Sequence, residues 1–347
     1  MFKFRVTDII DRPNNNISIR FQDLSGMYPK YKPGQFLTLV FNFEGREVRR
    51  SYSFSSSPDL DEPYEITVKR VENGEISRFL HHKLAIGDVI EVMEPLGIFT
   101  YNIDALQKNT VFLFAAGVGV TPLFSILKSV LTKELESKVI LIYSNSSKEQ
   151  TLFYDELIEW QNKYPDRLKI EFIWSNVKNL LKARLNRDYL IELVNENLNV
   201  SSNPIFYTCG PLFYMDLCRF TLLGMGFSEE SIRKETFYFP EEEEDDDEKE
   251  DIPQDYTSYD IVLRYNKMDY NLTIPPTKTI LEVGLEHKIR LPYSCKSGMC
   301  STCISQVVNG EVRMDYNEVL TDREVENGRC LICTAHPIAN NTIIEVL

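Results

Sequence analysis

The sequence predicts a multidomain chain of mixed α/β plus β class: an N-terminal antiparallel β-barrel, a parallel α/β domain covered by helices, and a small strand-rich C-terminal module. Three observations carry this. Short segments that alternate apolar and polar residues fill the first hundred positions, apolar runs followed by helical periodicity come next, and five of the seven cysteines crowd between 295 and 333. At 347 residues the chain is too long for one ordinary core, since domains average about 150 residues.

The barrel is assigned to 1–103, where FKFRVTDII, NISIRFQ, QFLTLVFNF, VRRSYSFSS, YEITVKRV and DVIEVMEP read as period-two strands between turn signals. The parallel domain is assigned to 104–240. There TVFLFAAG precedes helical TPLFSILKSVLTKEL, KVILIYSN precedes TLFYDELIEWQNKY, and LKIEFIWS, DYLIELVNEN, PIFYTCGP and LFYMDLCRFTLLGMG continue the alternation. Crossover helices that follow each strand make the sheet parallel and cover its faces. Within 256–347, YDIVLRYN and MDYNLTI read as a hairpin, TILEVGLEHK as a helix, ISQVVNGEVRM as a second hairpin and TIIEVL as a closing strand.

Net charge is −14, yet EEEEDDDEKED at 241–251 holds ten acids and one lysine, which leaves only 5 negative elsewhere. With no apolar residue to bury, 241–255 is expected to be a solvated, flexible acidic linker that lets the last module swing; docking of a basic partner is a second reading. Without a basic stripe the chain is not expected to bind nucleic acid. No run approaches ~18 apolar residues, so no membrane span is expected. The opening MFKFRVTDII alternates as a strand and lacks the pattern of a secretory leader, which points to a cytoplasmic protein.

Cys295, Cys300 and Cys303 have C-x4-C-x2-C spacing, and Cys333 follows after 29 intervening residues. Plant-type [2Fe-2S] clusters are held by this pattern. Gly298 and the small Ser297, Ser301 and Thr302 let backbone amides approach the sulfurs. Zinc is the alternative occupant, although zinc loops usually offer two C-x2-C type pairs. LPYSCKSGMCSTC and the CTAHP around Cys333 resemble the cluster loop of plant-type ferredoxins. That resemblance implies a C-terminal β-grasp ferredoxin domain with Cys295, Cys300, Cys303 and Cys333 as metal ligands. Cys330, in GRCLIC, offers another thiol beside the fourth ligand and is read as a packed side chain.

A one-electron cluster cannot accept a hydride, so a flavin is expected to convert pairs of electrons into single ones. Arg50-Ser51-Tyr52-Ser53 resembles the R-x-Y-S signature of the ferredoxin-NADP reductase superfamily. The resemblance implies that Arg50 pairs with the flavin pyrophosphate, Tyr52 packs on the isoalloxazine and Ser53 reaches N5, with Ser51 between them. Gly74-Glu75-Ile76-Ser77 resembles the family's G-x-x-S, where helix N-terminal amides and a hydroxyl hold phosphate. Read from the residues alone, Ser77 would be an ordinary helix N-cap opening SRFLHHKL. Val68, Lys69 and Arg70 match a stretch beside the ribityl and pyrophosphate groups, and Pro95–Phe99 completes the likeness. It implies FAD, with FMN left open.

Gly117-Val118-Gly119-Val120-Thr121-Pro122 follows the first strand of the parallel domain, where glycines let the backbone approach a pyrophosphate. It resembles the same superfamily's G-x-G-x-(T/A)-P turn, and Cys209-Gly210-Pro211 resembles its CGP turn, where the cysteine lies beside nicotinamide C4. Glu235 and Phe237 resemble its terminal acidic and aromatic positions. Tyr52, Ser53 and Cys209 are thus the implied catalytic residues. Relatives often read the 2′-phosphate of NADPH with arginines; here those positions are Tyr143-Ser144-Asn145-Ser146 and Ser175-Asn176. Ser146, Lys148 or Arg184 could serve instead, so NADH and NADPH both stay open.

As a whole the chain is similar to ferredoxin-fused flavin reductases. The resemblance implies an NAD(P)H-dependent oxidoreductase that passes electrons through FAD to a [2Fe-2S] cluster and on to an electron-accepting protein such as an oxygenase component. A general reductase without a dedicated oxygenase, and a non-enzymatic zinc module, are the other readings.

Overall fold

The structure, a computed structural model, describes residues 1–43, 45–60, 63–177, 182–198, 203–237 and 257–347. The acidic segment expected at 241–255 lies outside them. The chain divides into two compact units, Met1–Phe237 and Tyr238–Leu347.

In the first unit the alternating segments become β1 (Phe2–Arg12), β2 (Asn16–Asp23), β3 (Phe36–Phe43), β4 (Arg46–Ser53), β5 (Tyr64–Lys69) and β6 (Val89–Val92), with α1 (Glu75–His82) before the last strand. They form one antiparallel sheet in the order β4-β3-β6-β1-β2-β5. A bridge between Phe54, just past β4, and Ile66 on β5 joins its two ends and closes the barrel. Period-two burial explains the strands: Phe4, Val6, Ile19, Phe21, Leu37, Leu39, Ile66, Val68 and Val92 all point into one core. The helix begins at Glu75, two residues before the expected SRFLHHKL, and its N-cap is Gly74. Ser77 is therefore inside the first turn and not a cap. Its hydroxyl accepts from Val71 N at 3.1 Å.

The same unit continues with β7 (Asn109–Ala116), α2 (Val120–Lys133), β8 (Lys138–Asn145), α3 (Tyr154–Lys163), β9 (Leu168–Trp174), α4 (Arg187–Asn197), β10 (Asn203–Cys209), α5 (Leu212–Gly224) and β11 (Ile232–Glu235). The sheet order is β11-β10-β7-β8-β9, with every pair parallel. One face of β7 packs Val111, Leu113 and Ala115 against α2 and α3, and the other packs Phe112 and Phe114 against α4 and α5. A strand buried on both faces has to read as a near-continuous apolar run, as VFLFAA does. The order reverses between β7 and β10. In open α/β sheets, ligands bind beyond the strand ends at such a switch point.

The second unit contains β12 (Tyr259–Tyr265), β13 (Met268–Ile274), α6 (Ile280–Glu286), β14 (Ile304–Asn309), β15 (Val312–Met314), α7 (Asp322–Glu326), β16 (Arg329–Leu331), β17 (Ala335–Pro337) and β18 (Thr342–Val346). Its main sheet runs β13-β12-β18-β14-β16, with β12 and β18 parallel. The hairpin β12–β13 turns at Asn266 and Lys267, both at positive φ (52° and 64°), as a two-residue hairpin turn requires. A capping box between Thr279 and Glu282 starts α6. The second expected hairpin does not form: β14 pairs with β16 and β18, whereas β15 pairs with β17 in a separate two-stranded sheet. Both edges of β14 are taken, and the chain leaves it at Gly310 (φ 86°), where a Cβ would lie 2.3 Å from Thr342 Oγ1.

Candidate functional site

Strand β4 carries Arg50-Ser51-Tyr52-Ser53 at its end, opposite Leu39, Thr38, Leu37 and Phe36 of β3. Strand alternation divides their surroundings. Arg50 is exposed, with one guanidinium N–H donating to the Arg49 carbonyl at 2.8 Å. Ser51 Oγ is 2.8 Å from Thr38 Oγ1. Tyr52 packs against the barrel core, and loss of water raises its phenol pKa, so it stays neutral. Ser53 is buried and donates to Glu235 Oε2 at 3.1 Å.

That bond joins the barrel to the switch point of the parallel sheet. Glu235 ends β11 beside Cys209, which ends β10. Burial pushes the Glu235 carboxyl up to about 8, against the opposing pull of the Ser53 hydroxyl. The residue as a whole retains some exposed surface. Cys209 is fully buried, which raises its thiol well above the ordinary range, and the Glu235 charge adds to this.

The glycines at this point are dictated by packing. A Cβ on Gly119 would lie 2.2 Å from the Cys209 carbonyl oxygen, and one on Gly210 would lie 2.9 Å from Ala116 Cβ. The turns after β7 and β10 are thus pressed together, and only glycine permits the approach. Gly117–Gly119 form a 3-10 turn that leads into α2. Val120, Thr121 and Pro122 are buried, and Thr121 Oγ1 donates to the Val118 carbonyl at 3.0 Å. Pro122 stands in the first helical turn, where an amide hydrogen has no partner within the helix. Pro211 is the N-cap of α5.

Gly74, Ile76 and Ser77 stand at the start of α1, where a Cβ on Gly74 would lie 2.5 Å from Ser77 Oγ. Ile76 faces the barrel core. So does Val68, whose carbonyl oxygen lies 3.2 Å from His81 Nε2, and only Lys69 and Arg70 present side chains to solvent there. Ser53, Cys209, Glu235 and the two glycine turns therefore converge. The packing of Gly119 on Cys209 and the enclosed Ser53–Glu235 pair suit a site where one ring lies against the end of β4 and a second approaches from the sheet.

In the second unit the four expected cysteine sulfurs gather. Cys300 Sγ lies 3.1 Å from Cys295 Sγ, and Ser297 N donates to Cys295 Sγ at 3.4 Å. The Cys295 thiol pKa is lowered first by the Cys300 thiol, then by that of Cys333, with the Ser297 and Met299 amides also contributing. Cys333 in turn faces both Cys295 and Cys303. Backbone amides aimed at sulfur are the donor set that thiolate ligands need, so the loop fits a cluster. Gly298 has φ 70° with Tyr316 O only 2.5 Å from an ideal Cβ, so no side chain fits where the loop folds back. Among the described residues no trio of His, Cys, Asp or Glu side chains is arranged to hold a single metal ion. Cys330 is fully buried in β16, and burial pushes its thiol up to about 12.

Sequence reasoning named Tyr143 only as the start of the Tyr143–Ser146 stretch and missed that its hydroxyl donates to the Gly117 carbonyl at 2.9 Å. Within an apolar strand a tyrosine reads as core, and no local pattern reveals the bond.

Three family models match the chain in order: an oxidoreductase FAD-binding domain over 14–101, an oxidoreductase NAD-binding domain over 113–219, and a 2Fe-2S iron-sulfur cluster binding domain over 264–337. The chain is 31% identical to one component of the 1,2-phenylacetyl-CoA epoxidase of Escherichia coli, over 91% of this chain and 88% of that protein. It is 32% identical to the ferredoxin reductase component of the Rhodococcus rhodochrous 3-ketosteroid-9-alpha-monooxygenase, with the same coverage of 91% and 88%. Among solved structures, phthalate dioxygenase reductase superposes with a TM-score of 0.61 at 25% identity, over 99% of this chain and 98% of that one. No helix among the described residues is long and apolar enough to cross a membrane. The chain belongs to the family of ferredoxin-NADP reductase-like flavin reductases that carry a C-terminal plant-type [2Fe-2S] domain, and it is an oxidoreductase that uses FAD, a [2Fe-2S] cluster and NAD(P)H.

Proposed function

We propose that this chain is the reductase component of an oxygenase system, delivering electrons from NAD(P)H to an oxygenase partner. The carrying observation is that Ser53 and Glu235, 3.1 Å apart, bring the barrel's R-x-Y-S strand to the switch point where Cys209 and Gly119 meet. The matched relatives serve a phenylacetyl-CoA epoxidase and a ketosteroid monooxygenase, which supports an oxygenase of some kind as acceptor. When bound, the flavin takes an electron pair from the reduced nicotinamide and gives single electrons to the cluster.

The chain's own residues bind and orient. Arg50 offers its guanidinium fork to the flavin pyrophosphate, and Tyr52 offers a rigid face to the isoalloxazine. Ser51, Lys69 and the backbones of Val68, Gly74, Ile76 and Ser77 line the flavin. Gly117, Gly119, Val120, Thr121 and Pro122 form the phosphate turn, with Gly210 and Pro211 opposite. Cys209 stands beside nicotinamide C4. Ser53 Oγ and Glu235 Oε2 hold a proton near flavin N5, a role that suits a carboxyl raised to about 8. Cys295, Cys300, Cys303 and Cys333 ligate the cluster. The functional borders in this reading are 103, 240 and 255. The crowding of five of the seven cysteines between 295 and 333, as ligands and not as a disulfide framework, supports a cytoplasmic setting.

Cys300→Ser tests the electron route. The variant is expected to keep NAD(P)H-driven reduction of ferricyanide, which accepts directly from flavin, within about twofold, and to lose more than about 95% of transfer to a cluster-dependent protein acceptor. Undiminished transfer to that acceptor would show that electrons leave without the cluster.

A further inference from the structure

The phosphate turn after β7 is held from behind by a residue of the neighbouring strand. Tyr143, on β8, is fully buried, and its hydroxyl donates to the Gly117 carbonyl at 2.9 Å. The same carbonyl accepts the Val120 N–H that closes the 3-10 turn. A carbonyl oxygen has two lone pairs, so both are engaged and the peptide plane between Gly117 and Val118 is fixed. The C=O and N–H of a trans peptide point in opposite directions. A carbonyl turned inward to β8 therefore sends the Val118 N–H outward, to the side assigned to the coenzyme phosphates.

Gly117 itself adds no side-chain packing to hold that plane. Gly117 sits at φ 56° with nothing within 4 Å of an ideal Cβ, in contrast to Gly119, which is wedged against Cys209. Burial also raises the Tyr143 phenol, so it remains a protonated donor.

We propose that Tyr143 is a positioning residue for the coenzyme: its hydroxyl sets the Gly117–Val118 peptide so that the turn presents N–H groups to the pyrophosphate. This rests on the assignment of the Gly117–Pro122 turn to the coenzyme. The test is Tyr143→Phe in the full-length, flavin- and cluster-loaded protein, which keeps the ring and removes only the donor. Tyr207→Phe is the control, since that buried hydroxyl donates to the Thr100 carbonyl instead. In Tyr143→Phe the Kd of NAD+ or NADP+, measured by calorimetry without turnover, is expected to rise about three- to tenfold, the worth of one neutral hydrogen bond. KM for the reduced coenzyme should rise in step, with kcat and flavin content within about twofold of the parent. Tyr207→Phe should leave coenzyme binding unchanged. The proposal is overturned if Tyr143→Phe binds as the parent does, if it fails to fold, or if Tyr207→Phe weakens binding equally. A parent protein that binds neither NAD+ nor NADP+ would instead remove the assignment beneath it.

Discussion

Glu235 shows how one position joins stability to chemistry. An ordinary glutamate titrates near 4.5, whereas burial pushes this one up to about 8, beside Ser53 and Cys209. Between those two values the unfolded chain has released the proton and the native chain still holds it. Stability from this group therefore falls as pH rises through that window, and it is level below 4.5 and above about 8. Glu235→Gln removes the titration while preserving much of the shape. The difference in unfolding free energy between parent and variant, followed by denaturant titration from about pH 4 to about 9 so as to bracket both values, should drift steadily against the parent across the window. A pH-independent difference would mean that the carboxyl is ionised in the native state. Ser53 and Glu235 were each named through resemblance, but the bond between them and the raised carboxyl could not be read from the sequence, because they lie 182 positions apart and nothing local marks them as neighbours. Tyr52, Ser53 and Cys209 were legible only because short motifs surround them.

At the scale of elements, the end of β8 is where the coenzyme's second ribose should be read, since in a doubly wound sheet the residue at the end of the second strand discriminates the 2′ group. The turn there begins with Ser146. Its lysine, Lys148, has Nζ 4.6 Å from the centre of the Tyr154 ring, and the adjacent Glu149 is exposed, its carboxyl lowered by the Ser147 hydroxyl. An arginine fork at position 146 would meet a 2′-phosphate with charge-assisted bonds worth about 1.5–3 kcal/mol. Ser146→Arg is accordingly expected to raise kcat/KM for NADPH relative to NADH by about tenfold or more. Steady-state rates with both coenzymes decide it, and an unchanged ratio would place the ribose elsewhere. The longer elements here were readable because burial imposes a period: two in the barrel strands, continuous in β7 and β8. Three features were not. Strand β11 is four residues of IRKE whose pairing depends on β10. The start of α1 is set by Gly74 without a side-chain cap. The partner of β15 is decided by strands that arrive later in the chain.

At the scale of the whole molecule, every flavin and nicotinamide residue named above, from Arg50 to Glu235, lies in Met1–Phe237, and all four cluster cysteines lie in Tyr238–Leu347. Each named sheet is also completed within its own unit: the barrel closes through Phe54–Ile66, and β18 pairs with β12. Phe237 itself packs against the core around α2, so a chain ending there retains that contact. Residues 1–237 alone are therefore predicted to fold, to bind one FAD and to reduce ferricyanide within about threefold of the full-length rate, while failing to pass electrons to a cluster-dependent acceptor. Residues 257–347 are predicted to take up a cluster by themselves, seen as visible charge-transfer absorption. Both measurements bear on one claim, that hydride chemistry and single-electron delivery occupy separately stable units. If the 1–237 fragment lost its flavin, the second unit would have to be contributing to the flavin site, and the separation argued from the two cores would be wrong.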